Sequence, residues 1–441
     1  MNHSDSERIA AFLESIGYHP SKNEKEADLI VINTCSVRQS AVDRVYGKIK
    51  NFSSNKNNKL RPKIILTGCI LPSDKKKLKN KADFVLNIKN LPKWKNYLLP
   101  KPISNNKDIT GCKYLEIKPK HQNNYSVYIP ISTGCNNACS YCAVPYTRGS
   151  LACRDYKQIL KEVKYAVNKL GTKEIWLLGQ NVNDYNFIIK EKGLKFKKEK
   201  KLNKKTENRV INFADLLKMI NDIPGNFWIR FTSPHPKNFS DELIKTMAKC
   251  KKITPYLNLP VQSGDSEILK KMNRLYSIEN YKKLVKKIRK AFNKYRKGVE
   301  KNITLSTDII VGFPGETKKQ FENTVKLFKE IKFDMAYIAE YSPRAGTAAF
   351  KLKDNVSKKE KERRRKILTE ILKKTALEKN KKYIGKTIEV LPEKIKNGFL
   401  IGKSKTYKTV KFKGNQNLIG IFVKVKITDA LTWGLKGELY Y

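Results

Sequence analysis

The run Gly134-Cys135-Asn136-Asn137-Ala138-Cys139-Ser140-Tyr141-Cys142 sets three cysteines four and then three residues apart, directly after an apolar strand expected at 125–131. A loop carrying Gly and Asn is flexible enough for Cys135, Cys139 and Cys142 to take a different iron each of one [4Fe–4S] cubane. The fourth iron is then left without a protein ligand and open to chemistry, whereas a cluster capped by four cysteines suits electron transfer. Zinc is the alternative, as Cys₃His with His121 or Cys₄ with Cys153. Zinc draws its ligands from close pairs at recurrent spacing, however, and no second pair matches here. The other cysteines, at 35, 69, 112, 153 and 250, are too few and too uneven for a secreted disulfide framework, so the crowded trio points to a metal site in a reducing cytosol.

Around this run the chain reads as strand and helix in alternation. Apolar runs at 125–131, 174–178, 227–231, 256–260, 304–311 and 335–341 are separated by helical stretches such as 156–170, 277–296 and 318–331. Six βα units imply a parallel sheet curved into a full or partial barrel with helices outside, and chemistry in such folds gathers at the C-terminal ends of the strands. Upstream, a helix at 6–16, a strand at 29–33, a helix after Ser40 and a strand at 63–67 form an α/β unit. In it Cys35 and Cys69 fall just past equivalent strand ends, which makes a shared site. Downstream, a charged helix at 357–383 leads to five short strands at 387–391, 398–401, 408–412, 418–427 and 437–441, a small β-barrel of the kind that binds nucleic acid. The fold class is therefore α/β with domains at 1–105, 121–355 and 376–441. A Lys-rich segment at 188–209 lacks apolar periodicity and reads as a solvated insertion.

The formal net charge of +51, from 92 Lys and Arg against 41 Asp and Glu, suits a phosphate backbone, although Lys scattered over every polar stretch also describes a general compositional bias. In the small barrel Lys403, Lys405, Lys408, Lys411 and Lys413, beside Tyr407 and Phe412, are expected to form a phosphate-contacting surface. Neither a leader pattern nor an apolar stretch of membrane-spanning length is present, so a cytoplasmic, monomeric protein is expected.

The Cys-x₃-Cys-x₂-Cys spacing at the end of a first barrel strand resembles the radical S-adenosylmethionine superfamily. The longer run from Ser132 through Tyr146-Thr147-Arg148-Gly149 resembles the methylthiotransferases within it. Further matches follow in order: 178–183, Arg230-Phe231-Thr232-Ser233-Pro234-His235-Pro236, 259–264, Met272-Asn273-Arg274, 307–316 and Tyr341-Ser342-Pro343-Arg344. The resemblance covers essentially the whole chain. It implies an N-terminal domain with an auxiliary [4Fe–4S] cluster, a radical S-adenosylmethionine barrel and a C-terminal RNA-binding barrel of the TRAM type. It also implies that S-adenosylmethionine chelates the open iron and is cleaved to a 5′-deoxyadenosyl radical, with Tyr141 near the adenine. Gln180, Asn181, Arg230, Gln262, Ser306 and Asp308, at strand ends, are the candidates for the cofactor's polar groups.

The family's auxiliary cluster has three cysteine ligands, and Cys35 and Cys69 match the second and third. The first lies in a Gly-Cys-Gln-Met-Asn run before Asp-Ser-Glu, whereas this chain opens at Met1-Asn2 before Asp5-Ser6-Glu7. Either Met1 is internal to a longer natural chain or the cluster has two of its ligands here. The first is favoured, because losing an opening strand would expose its neighbours. Cys112 is a remote substitute. The substrate that the resemblance implies is N6-dimethylallyladenosine at position 37 in the anticodon loop of tRNA. Threonylcarbamoyladenosine, a ribosomal-protein aspartate, or a catalytically inactive RNA-binding role are the alternatives. A reducing protein partner and a sulfur donor are implied as well.

Overall fold

The computed structural model describes residues 1–35, 39–53, 62–99, 112–189 and 209–440. At the N-terminus a helix over Asn2–Ser15 begins earlier than its apolar pattern suggests, because Ser4, Asp5 and Arg8 are buried against the rest of the protein. Strands β1 (Leu29–Cys35), β2 (Lys63–Cys69) and β3 (Phe84–Val85) form a parallel sheet in that order, and the helix Gln39–Ser53 makes the crossover from β1 to β2. Among the described residues β1 lies at the edge of this sheet. Both cysteines are the last residues of their strands, and they pair in register, Cys35 opposite Cys69.

The six central runs form the expected strands: β4 (Ser126–Pro130), then, after a small antiparallel pair β5 (Ser132–Thr133) and β6 (Ala152–Cys153), β7 (Glu174–Leu178). A hairpin, β8 (Asn186–Ile189) with β9 (Arg209–Asn212), precedes β10 (Trp228–Phe231), β11 (Tyr256–Asn258), β12 (Thr304–Val311) and β13 (Met335–Glu340). The strands β4-β7-β10 and β11-β12-β13 are parallel triplets, and a parallel bridge between Ile229 and Ile253 joins them into one six-stranded partial barrel. The hairpin was missed in the sequence because only its two short arms are apolar. The Lys-rich segment between them, 190–208, lies outside the described residues.

Period-2 alternation sorts the strand residues. Ile175, Leu177, Ile229, Leu257, Leu305 and Ile309 face outward and pack under the helices, among them Tyr156–Leu170, Ile278–Tyr295 and Lys318–Ile331. Each of these helices starts at a side-chain cap, Asp155, Ser277 and Thr317 respectively, which accepts from a backbone N–H of the first turn. The inward-facing residues are polar and aromatic: Tyr128, Glu174, Trp176, Arg230, Tyr256 and Ser306.

The helix Lys358–Lys381 leads to a closed barrel of β14 (Thr387–Lys396), β15 (Phe399–Ser404), β16 (Thr409–Phe412), β17 (Val423–Leu431) and β18 (Gly434–Leu439), ordered β14-β15-β16-β18-β17. Its last strand starts three residues before the expected one, and Tyr441 is outside the described residues. Part of the basic surface expected here is instead a docking face. Lys408 Nζ lies 2.8 Å from Asp334, Lys405 Nζ lies 2.9 Å from Glu300, and Phe412 is in the small barrel's core. Tyr407 enters the central barrel at the end where its strands begin, its ring 4.3 Å from Tyr256 and 5.4 Å from Trp176. Of the five lysines expected on that surface, Lys405 and Lys408 are thus paired with carboxylates distant in sequence, whereas Lys403 donates to Thr409 and Lys411 lies over the Phe399 ring.

Candidate active site

The three-cysteine loop follows β5 and is pinned at many points. Gly134 has φ +80°, and a Cβ there would sit 2.0 Å from the Ser150 carbonyl oxygen, so the approach of these two backbones requires glycine. The Gly134 N–H donates to Gln180 Oε1, and the Cys135 N–H donates to the Gly149 carbonyl at 3.1 Å. Further along, the Ser140 N–H donates to Met272 O, and Asn273 Nδ2 donates to Ala138 O. The 260–277 segment therefore buttresses the loop. Arg274 completes this support: one terminal nitrogen reaches Cys139 Sγ at 3.7 Å and the other donates to Pro260 O at 2.7 Å.

All three thiols are half-buried. Burial pushes the Cys135 thiol up despite donors from Asn137, and it pushes Cys142 up to about 12. Thiols so protonated are ones whose binding of metal must release protons. The residues a zinc site would need are engaged elsewhere: His121 Nδ1 is 3.2 Å from Glu7, and Cys153 Sγ accepts from the Asn186 N–H. Among the described residues no three His, Cys, Asp or Glu side chains converge closely enough to hold one metal ion between them. A cubane asks for less convergence, since each thiolate takes its own iron. The rim also carries polar atoms without a partner, the buried Ser132 Oγ and Asn181 Oδ1. A Cβ on Gly179 would crowd that hydroxyl at 2.7 Å. Three half-exposed thiols beside an unoccupied buried acceptor and hydroxyl fit a cluster with a polar organic ligand.

The remaining candidates divide. Tyr141 packs among Ile268, Met272, Phe313, Tyr341 and Ala349, beside the cysteines. Gln180 is tied to the loop, and Asn181 donates to Asp184 while its oxygen faces the rim. Gln262 holds φ +74° and bridges to β12, its N–H donating to Asp308 O. Asp308 accepts from Asn258 Nδ2 at 3.0 Å. Two expectations need correction. Arg230 is not at the rim. It is 1% exposed and bonded to Glu174, Thr254, Ser404 O and Lys405 O, because the third residue of the short strand β10 points into the barrel rather than off its end. Ser306 is fully buried below the rim, and its hydroxyl is already engaged by Tyr256 and Asn258.

Cys35 and Cys69 lie beside a second constellation that sequence reading passed over. Arg148, on the short helix Val144–Arg148 just after Cys142, is fully buried. Its Nε donates to Cys69 Sγ at 3.0 Å, and its terminal nitrogens donate to Asp5 at 2.6 Å and to the Tyr114 hydroxyl at 3.2 Å. A hydrogen bond from Cys35 and then the Arg148 guanidinium outweigh burial and bring the Cys69 thiol down to about 6. Cys112 is elsewhere, its Sγ 2.9 Å from Ala152 O, and burial pushes it up to about 11. Arg148 stands in the run that carries the family resemblance, but its burial and its pairing with Asp5, 143 residues earlier, are not visible in the sequence.

Comparison with known proteins adds whole-chain likeness. Residues 1–88 match the uncharacterized protein family UPF0004, residues 129–328 the Radical SAM superfamily and residues 381–440 the TRAM domain. Relatives named tRNA-2-methylthio-N(6)-dimethylallyladenosine synthase include one from Clostridium novyi (strain NT), 40% identical over 100% of this chain and 94% of the relative. Others are from Clostridium botulinum (strain Langeland), 39% identical over 99% and 94%, and from Alkaliphilus oremlandii, 37% identical over 100% and 90%. Among the described residues no helix is long and apolar enough to cross a membrane. With its three-cysteine loop at the mouth of a partial barrel and relatives of one name matched over 90–94% of their length, this chain belongs to the radical S-adenosylmethionine methylthiotransferases, in the tRNA-2-methylthio-N(6)-dimethylallyladenosine synthase family.

Proposed function

We propose that this chain adds a methylthio group to N6-dimethylallyladenosine at position 37 of tRNA in the cytoplasm. The observation that carries the reading is Arg148: placed six residues after Cys142, it bonds Cys69, so the two thiol sets share one wall. Cys135, Cys139 and Cys142 would hold one [4Fe–4S] cluster, with S-adenosylmethionine on its open iron, and Cys35 and Cys69 would hold part of a second. When bound, these groups supply reductive cleavage of S-adenosylmethionine and the sulfur for insertion.

The protein's own part is positional. Arg274 and Gln180 fix the loop from two sides, and Asn181, Gln262 and Asp308 offer polar atoms at strand ends. The apolar wall around Tyr141, built of Met272, Phe313 and Tyr341, keeps water from one side of the site. The +51 charge supports an RNA substrate, and an anticodon loop offers unstacked bases for recognition.

Two measurements test this. Anaerobically reconstituted protein should cleave S-adenosylmethionine to 5′-deoxyadenosine; intact cluster absorbance without that product refutes the enzyme and leaves an RNA-binding protein. Expression in a methylthiolation-deficient host should convert dimethylallyladenosine to its 2-methylthio form in digested tRNA. Modification of threonylcarbamoyladenosine instead would move the chain to the sister substrate.

A further inference from the structure

Alternation along β11 and β12 turns Tyr256, Asn258, Ser306 and Asp308 toward the barrel interior, and the register sets Asn258 opposite Ser306. Their hydrogen bonds form one directed chain. Ser306 Oγ donates to Asn258 Oδ1 at 2.8 Å, which uses the serine proton, so the Tyr256 hydroxyl is the donor in its 3.0 Å contact with Ser306. Asn258 Nδ2 then donates to Asp308 Oδ2 at 3.0 Å. The chain runs from the floor of the barrel to its rim and ends on an acceptor-only carboxylate.

At the floor the chain starts on a residue of another domain. The ring of Tyr407, at the tip of the turn between β15 and β16, lies 4.3 Å from that of Tyr256 at an interplanar angle of 32°. Tyr407 holds φ +64°, an uncommon state for a bulky residue, which the surroundings must impose. They do so through Arg230: its guanidinium lies 4.9 Å from the Tyr407 ring and bonds the carbonyls of Ser404 and Lys405, while Glu174 fixes its other edge. Remove Tyr407 and Tyr256 loses the surface that sets its ring and hence its hydroxyl.

We infer that Tyr407 of the C-terminal barrel is a positioning residue for S-adenosylmethionine, acting through Tyr256, Ser306 and Asn258 to orient Asp308 at the rim. This rests on the functional reading above, in which Asp308 meets the cofactor. The small barrel then has a task in the catalytic domain separate from any contact with RNA.

The test uses the reconstituted full chain and reads S-adenosylmethionine affinity by equilibrium dialysis, beside affinity for a tRNA anticodon stem-loop by filter binding. Y256F removes one hydroxyl and should weaken S-adenosylmethionine binding about three- to tenfold, with iron content and RNA affinity unchanged and the melting temperature lowered by only a few degrees. Y407L should act in the same direction, and Y407F, which keeps the ring, should restore binding. A general folding defect would lower all four quantities together. Should Y407L not fold, Y256F decides alone. Binding by Y256F within twofold of the parent overturns the relay, as does Y407F proving as damaging as Y407L. A parent protein with full iron content that binds no S-adenosylmethionine overturns the functional reading and the relay with it.

Discussion

His235 shows how far a neighbourhood can decide a side chain's chemistry. It follows β10, accepts the Lys237 N–H on Nδ1 and is 7% exposed. Burial first, then Arg274 and Lys237, bring its imidazole down to about 3 from 6.5, so it is neutral in the folded protein. Below about pH 6.5 the unfolded chain binds a proton here that the folded one does not. The stabilisation is complete above that pH and is lost as pH falls toward 3, by about 1.4 kcal/mol per unit. H235N, whose amide oxygen can still accept from Lys237, should therefore lose about 2 kcal/mol less stability than the parent between pH 7 and pH 5 in urea titrations. Parallel losses in the two proteins would show that His235 does not titrate in this way. At this scale the sequence was most informative where chemistry is local. Cys135, Cys139 and Cys142 announce themselves by spacing, whereas Arg230 was misplaced because its partner Glu174 is 56 residues away.

Loops and strands are the next scale, and the cysteine loop depends on one glycine. G134A forces a side chain into the space of Ser150 O and Gly149 O at a left-handed φ, which costs about 1–2 kcal/mol before the clash is counted. Iron per chain after reconstitution should fall by more than half. The control is G171A, which meets the same φ penalty at a helix end with nothing within 4 Å. It should lower stability by about 1 kcal/mol and leave iron content intact. Equal iron in both variants would mean that the loop does not need this backbone path. The strands of the central barrel were legible because parallel strands covered by helices read as apolar runs. The β8–β9 hairpin was not, since its arms are four residues each and pair across a long polar segment.

Across the whole molecule, docking of the C-terminal barrel turns on Asp334. Its carboxylate takes Lys408 at 2.8 Å, Lys379 at 2.7 Å and the Leu305 N–H at 3.1 Å. Burial alone would raise this carboxyl, but the two ammoniums outweigh it and hold it below its usual range. D334A leaves both lysines uncompensated and should cost about 3 kcal/mol, with faster proteolysis between the helix Lys358–Lys381 and β14. Unchanged cleavage and melting would show that the aromatic floor holds the barrel without the ion pairs. This interface is what sequence reading got backwards. Lys405 and Lys408 look like an RNA surface because their carboxylate partners lie 105 and 74 residues away. A cation's employment is a tertiary fact.

The in-register pairing of Cys35 with Cys69 has a practical side. Adjacent strands in a sheet stand about 4.8 Å apart, within the Cα separation of a disulfide, which spans roughly 4.4–6.8 Å. The hydrogen bond from Cys35 to Cys69 already sets the two sulfurs side by side. A preparation handled in air before its iron is loaded has a ready route to locking this pair shut: oxygen takes one thiol to a sulfenic acid, and the neighbouring thiol displaces water from it to close the disulfide. Reductant must then precede iron in any attempt to fill the site.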